Sequence, residues 1–187
     1  IMPLALIPAL AATWTVAPGR AYILQIAFLV LALADPLASW AGSAGRGRAW
    51  IEGATLVGSS VFFLVAVVLT ALGLLGLGHW APERAVTGAL LVAVVATASE
   101  AIGRGGWDNF SIVGAVILVL VPLHELPGAA VQIGGALAVG LPFGLVAYAT
   151  RALTAAGSVG GGLFAASIVG LGGWAWALPG FVFFFLS

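Results

Sequence analysis

The chain has 187 residues, 63% of them hydrophobic and 6% charged, and its six basic residues balance its six acidic ones. A soluble domain carries about 25% charged residues, so this composition excludes a water-covered globule, and zero net charge leaves no field to gather nucleic acid. The lack of cysteine excludes disulfides, thiolate metal sites and cysteine nucleophiles.

Mean hydropathy is +1.22, and 27 glycines suit helices that approach one another closely in lipid. A spanning helix needs about 20 apolar residues at 1.5 Å each. On that measure the sequence predicts an all-α, polytopic transmembrane helix bundle of about eight spans. The first, Ile1–Val16, begins inside an apolar run with no basic stretch before it, so it does not read as a signal peptide. That open start, and the apolar run ending at Ser187, predict a piece of something longer.

Pro18-Gly19-Arg20 breaks the first span, and the second covers Ala21–Ala38. A loop rich in glycine and arginine follows, Ser39-Trp40-Ala41-Gly42-Ser43-Ala44-Gly45-Arg46-Gly47-Arg48. The third span is Gly53–Leu77, closed by the polar turn His79-Trp80-Ala81-Pro82-Glu83-Arg84 with its interfacial tryptophan. The fourth is Val86–Ile102, and the loop Gly103 to Asn109 leads to a short fifth span, Phe110–Leu123. After the turn His124-Glu125-Leu126-Pro127-Gly128 come the sixth span, Ala129–Tyr148, with a kink expected at Pro142, and a loop holding Arg151. Ser158–Leu171 and Trp174–Leu186 are the seventh and eighth.

Loops between spans 2 and 3, 4 and 5, and 6 and 7 hold Arg46, Arg48, Arg104 and Arg151, whereas the other side holds Arg20 and Arg84. The positive-inside rule therefore places the first set in the cytoplasm. Asp35, Glu52, Glu100, Asp108 and Asn109 then lie near one membrane face, and His79 and His124 near the other.

An ionisable side chain is costly in lipid and is a functional candidate for that reason. Carboxylates gathered near an arginine- and glycine-rich loop suit a Mg²⁺–nucleotide site: acids hold the cation, arginines pair with phosphate oxygens, and glycines admit backbone N–H groups. Plainer roles exist for each. Asp35-Pro36 can end a helix, Arg46 and Arg48 can set topology, Glu52 can complement a helix dipole, and Asp108 can cap the fifth span. His124-Glu125 is thin ground for a proton relay. No P-loop, zinc-protease or serine-elbow motif is present.

Ala34-Asp35-Pro36-Leu37-Ala38-Ser39-Trp40-Ala41-Gly42, an arginine-containing loop, and Glu52-Gly53 before an apolar helix resemble the nucleotide-site region of the CTP-dependent polyprenol kinases, the group of dolichol and phytol kinases. Downstream, Ala98-Ser99-Glu100-Ala101-Ile102 and Gly106-Trp107-Asp108-Asn109-Phe110 resemble the family's second acidic segment, so the likeness covers roughly residues 21 to 125. It implies a membrane enzyme that moves the γ-phosphate of CTP to an isoprenoid alcohol. Asp35, Glu100 and Asp108 would be catalytic, with Asp35 and Asp108 on Mg²⁺. Ser39, Gly42, Arg46, Arg48, Glu52, Gly53 and Asn109 would shape the nucleotide site. One departure stands out: the family has Lys-Ser or Lys-Thr where this chain reads Ala49-Trp50.

The stretch from Tyr148-Ala149-Thr150-Arg151 through Gly172-Gly173-Trp174-Ala175-Trp176 to Phe183-Phe184-Phe185-Leu186-Ser187 is similar to the opening of the phytyl-phosphate kinase-like membrane family. These resemblances imply one kinase-like domain over residues 1–140 and the beginning of another over 141–187. Partners would be membrane lipid and nucleotide, with the site at the cytoplasmic face. A lipid-phosphate cytidylyltransferase, a degenerate structural subunit among other membrane subunits, and a transporter are the competing classes. No inverted repeat supports the last.

Overall fold

The computed structural model describes residues 20–44, 48–51, 53–103 and 107–186. The expected first span, and Arg46, Glu52 and Arg104, lie outside the described residues. The chain packs as two compact units that divide at Pro127–Gly128.

In the first unit, α1 (Ala21–Leu29) runs through a π-helical turn (Val30–Ala34) directly into α2 (Asp35–Ala44). A short hairpin follows, β1 (Ala49–Ile51) with β2 (Ala54–Thr55), then α3 (Leu56–Gly76), α4 (Pro82–Ile102) and α5 (Asp108–Glu125). The α1–α2 span packs on α3 and α5, and α4 packs on the same two helices. The four spans thus form a ring of neighbours. The second unit holds α6 (Ala129–Ala149), α7 (Ala155–Gly172) and α8 (Trp174–Leu186). Residues 140 and 141, where the two expected domains meet, lie inside α6.

The expected all-α polytopic bundle is what the chain forms: among the described residues, six helices are long and apolar enough to cross a membrane. Leu64, Leu72 and Leu118 lie exposed on the outside of the first unit. Small residues face inward instead, with Ala85, Gly88, Ala89, Val92, Ala93, Ala96 and Ser99 buried along α4 at helical spacing. Lipid is no better a solvent for alanine than leucine is, so close backbone packing rather than apolar burial brings these helices together. In the second unit, Gly140 and Gly144 meet Gly162 and Ser158 at the α6–α7 crossing.

Three local outcomes differ from the sequence expectation. The second span does not end near Ala38; helix continues to Ala44. Pro36 lacks an N–H, and its ring collides with the carbonyl four residues back in a regular α-helix. The wider turn over Val30–Ala34 immediately before Asp35-Pro36 accommodates that ring without breaking the span. Next, the third span starts at Leu56, because the residues before it pair as an antiparallel hairpin in which Ile51 faces Ala54. Gly53 turns that hairpin at φ 90°, a conformation that side chains resist. Finally, α5 starts at Asp108, so Asp108 and Asn109 belong to its first turn rather than to the loop.

Candidate functional site at one end of the first unit

The π-turn, hairpin and helix ends converge on one cavity of about 640 Å³, within the range of small-molecule sites. The α2 helix contributes Asp35, Ala38, Ser39, Gly42 and Ser43, and the hairpin contributes Gly53, Ala54 and Thr55. Gly58 and Ser59 come from the first turn of α3, Glu100 and Ala101 from the last turn of α4, Gly103 from just beyond it, and Asp108 from the start of α5. Trp40 and Trp107 stand 70% and 66% exposed at this same end. Tryptophans so placed mark the level of the lipid headgroups.

Each wall has a local cause. Gly42 and Gly58 let α2 and α3 cross closely: a Cβ at Gly58 would lie 3.1 Å from the Ala38 carbonyl oxygen. Thr55 caps α3, its hydroxyl accepting from the Gly58 N–H at 3.0 Å. Trp50 on β1 ties the hairpin to α3 by donating from Nε1 to Ser59 Oγ at 3.2 Å. On α5, Asp108 Oδ1 accepts from the Asn109 backbone N–H at 2.8 Å.

Asp35, Glu100 and Asp108 act on one another electrostatically. Like charges gathered in a low-dielectric cleft repel, and a cation offsets that repulsion. Glu100 Oε2 is buried with no hydrogen-bond partner among the described residues. Yet no three acidic or histidine side chains among those residues are arranged to hold a metal by themselves. Such a donor set suits a cation that arrives on a nucleotide, since Mg²⁺ is commonly held by one or two carboxylates plus substrate phosphates.

Six of the sequence-expected residues therefore line the one cavity: Asp35, Ser39, Gly42, Gly53, Glu100 and Asp108. Arg48 does not; it is exposed at the start of the hairpin, where its carbonyl accepts from the Leu56 N–H at 3.3 Å. Asn109 sits beside the cavity on α5 rather than in its lining. Ser43, Thr55, Gly58, Ser59 and Gly103 join the lining unforeseen. Their signal in the sequence is faint, a scatter of small and hydroxyl residues around Glu52-Gly53 at the mouth of an apolar helix.

The opposite end of the unit carries a separate polar clasp. Tyr22 Oη and His124 Nδ1 are 2.6 Å apart, Trp80 Nε1 donates to Tyr22 Oη at 3.2 Å, and Arg20 pairs with Glu125. Arg84 donates to the Leu123 carbonyl at 2.6 Å and stacks over Trp80 at 4.4 Å. The clasp joins the ends of α1, α4 and α5 and the turn after α3, far along the bundle from the carboxylates. No protein-family model, curated protein or solved structure matches the chain, so the kinase resemblances rest on its own residues.

Proposed function

We propose that the first unit is a membrane lipid kinase that transfers the γ-phosphate of CTP to an isoprenoid alcohol. One observation carries this reading: Asp35, Gly42 and Gly53 from one sequence segment and Glu100 and Asp108 from another some 50 residues on, the segments that resemble the polyprenol kinases, line a single cavity at the tryptophan-marked end of the bundle. A site at headgroup level suits a substrate whose tail stays in lipid while its hydroxyl meets a water-borne nucleotide. By arginine count that level faces the cytoplasm.

Asp35 and Asp108 would hold the nucleotide's Mg²⁺, which when bound neutralises phosphate charge. The capped N-terminus of α3, with Thr55 and Gly58 in the lining, presents the positive end of its dipole to the same cavity. Glu100 takes the alcohol proton as the alcohol oxygen bonds to the γ-phosphorus and the bond to the β-phosphate oxygen breaks, leaving CDP. Positioning and charge neutralisation supply most of the rate in such transfers.

A second reading, a catalytically degenerate structural subunit, is favoured by Trp50. The indole occupies the place where the resembled pattern has a phosphate-side hydroxyl, and it is tied to Ser59. A transfer assay in liposomes with γ-labelled CTP, Mg²⁺ and a panel of isoprenoid alcohols decides between them. Label in the alcohol monophosphate, lost in Asp35→Asn, supports the kinase. Cytidylyl transfer with release of pyrophosphate would replace it with the cytidylyltransferase reading, and no transfer by folded protein favours the structural role.

A further inference from the structure

Two groups in the cavity are left with complementary hydrogen-bonding capacity. Ser59 is only 8% exposed, and its Oγ accepts from Trp50 Nε1. An indole N–H donates and never accepts, so the polarity of that bond is fixed and the Ser59 hydroxyl hydrogen must point elsewhere. Thr87, Ser99, Thr150 and Ser167 return their hydroxyl hydrogens to the carbonyl four residues back. Ser59 makes no such bond among the described residues; the Trp50 contact is its hydrogen bond there. On the same cavity, Glu100 Oε2 is buried and has no partner among the described residues.

A spare donor and a spare acceptor on one cavity select the chemistry of what fills it. A phosphate oxygen satisfies Ser59 but is repelled by Glu100. An ammonium satisfies Glu100 and has nothing to accept from Ser59. A hydroxyl does both at once, accepting on its oxygen and donating its hydrogen. We infer that Ser59 and Glu100 form the alcohol subsite of this cavity. Ser59 donates to the alcohol oxygen, Glu100 accepts the alcohol proton, and Trp50 is a positioning residue that acts through Ser59. The inference rests on the lipid-alcohol reading for the identity of the tail, and it needs no nucleotide chemistry.

The test is equilibrium binding of tritiated phytol, against phytol methyl ether, to the full chain in detergent without nucleotide. The ether keeps the tail and loses the donor hydrogen. Wild-type protein should prefer the alcohol by about fivefold, the value of one net hydrogen bond. Glu100→Leu, which has no acceptor, should bring the ratio close to one, whereas Ser59→Ala removes a donor to the oxygen that both ligands keep and should weaken alcohol and ether alike by about fivefold. Trp50→Phe, which keeps the ring but not the N–H, should weaken alcohol and ether to the same degree and add nothing further in the Ser59→Ala background, a non-additivity that a purely structural tryptophan would not produce. A wild-type ratio near one, no alcohol binding, a full preference surviving in Glu100→Leu, or unchanged binding of both ligands in Ser59→Ala overturns the subsite. Phosphate transfer from CTP is measured on the same preparations: an intact alcohol preference without transfer upholds the subsite and removes only the kinase reading.

Discussion

Gly42 and Gly58 pass at backbone distance: a Cβ added to Gly42 would stand 3.6 Å from the Gly58 Cα and 2.8 Å from Thr55 Oγ1. Thr55 cannot retreat freely, because the same oxygen caps α3 through the Gly58 N–H. Gly42→Ala should therefore force α2 and α3 apart or pull the cap away, at about 1–3 kcal/mol. Thermal unfolding in detergent should show the loss, and CTP binding should weaken with it. An unchanged unfolding midpoint would mean that the crossing is looser than this geometry.

Asp35→Asn should separate function from stability. It removes one of three carboxylates that repel one another across the cavity, so the unfolding midpoint should hold or rise. Binding of Mg²⁺–CTP, followed by equilibrium dialysis, should fall by at least about tenfold, the loss of one charged ligand interaction. A clear drop in the midpoint would instead give Asp35 a structural role.

Glu100→Gln keeps the shape of the side chain and removes its capacity as a base. Phosphate transfer should fall by about 10²–10⁴-fold, the usual contribution of a positioned general base. CTP binding should change little. Single-turnover kinetics with saturating alcohol reads the chemical step directly, and a full rate in the variant would transfer the base role to Asp108.

Arg84→Met probes the other end of the bundle. It removes the bond to the Leu123 carbonyl and the stack on Trp80. Because Arg84 is exposed, the expected cost is about 1–2 kcal/mol rather than the sum of buried values. CTP binding per folded molecule should match wild type. A selective loss of binding would show that the clasp and the cavity are coupled.

Much of this was legible from residues alone, for particular reasons. Leu64, Leu72 and Leu118 belong to long apolar runs, and length in lipid leaves the backbone few options besides helix. The rarity of charge made Asp35, Glu100 and Asp108 stand out, and helix alternation brought them to one end. Ser59 and Thr55 escaped notice because a hydroxyl on an apolar helix has no characteristic spacing. Trp50 was visible only as a departure from the resembled pattern, and its bond to Ser59 depends on a hairpin of two very short strands without useful alternation. The helix beyond Pro36 was missed because proline normally stops a helix in water, whereas a neighbouring π-turn can re-satisfy the backbone inside a bundle.

That π-turn makes the site a matter of chain length as well as chemistry. An α-helix advances about 100° per residue. The π-turn holds one residue more than the α-helical turn it replaces, so straightening Val30–Ala34 into α-helix at constant length would swing Asp35, Ala38 and Gly42 together onto another face, whereas deleting one residue with it would restore the register. The span would still cross the membrane with nearly the same composition. Loss of the π-turn without loss of a residue, rather than replacement of the acid itself, is thus enough to turn a chain that presents its acid to the cavity into one that hides it.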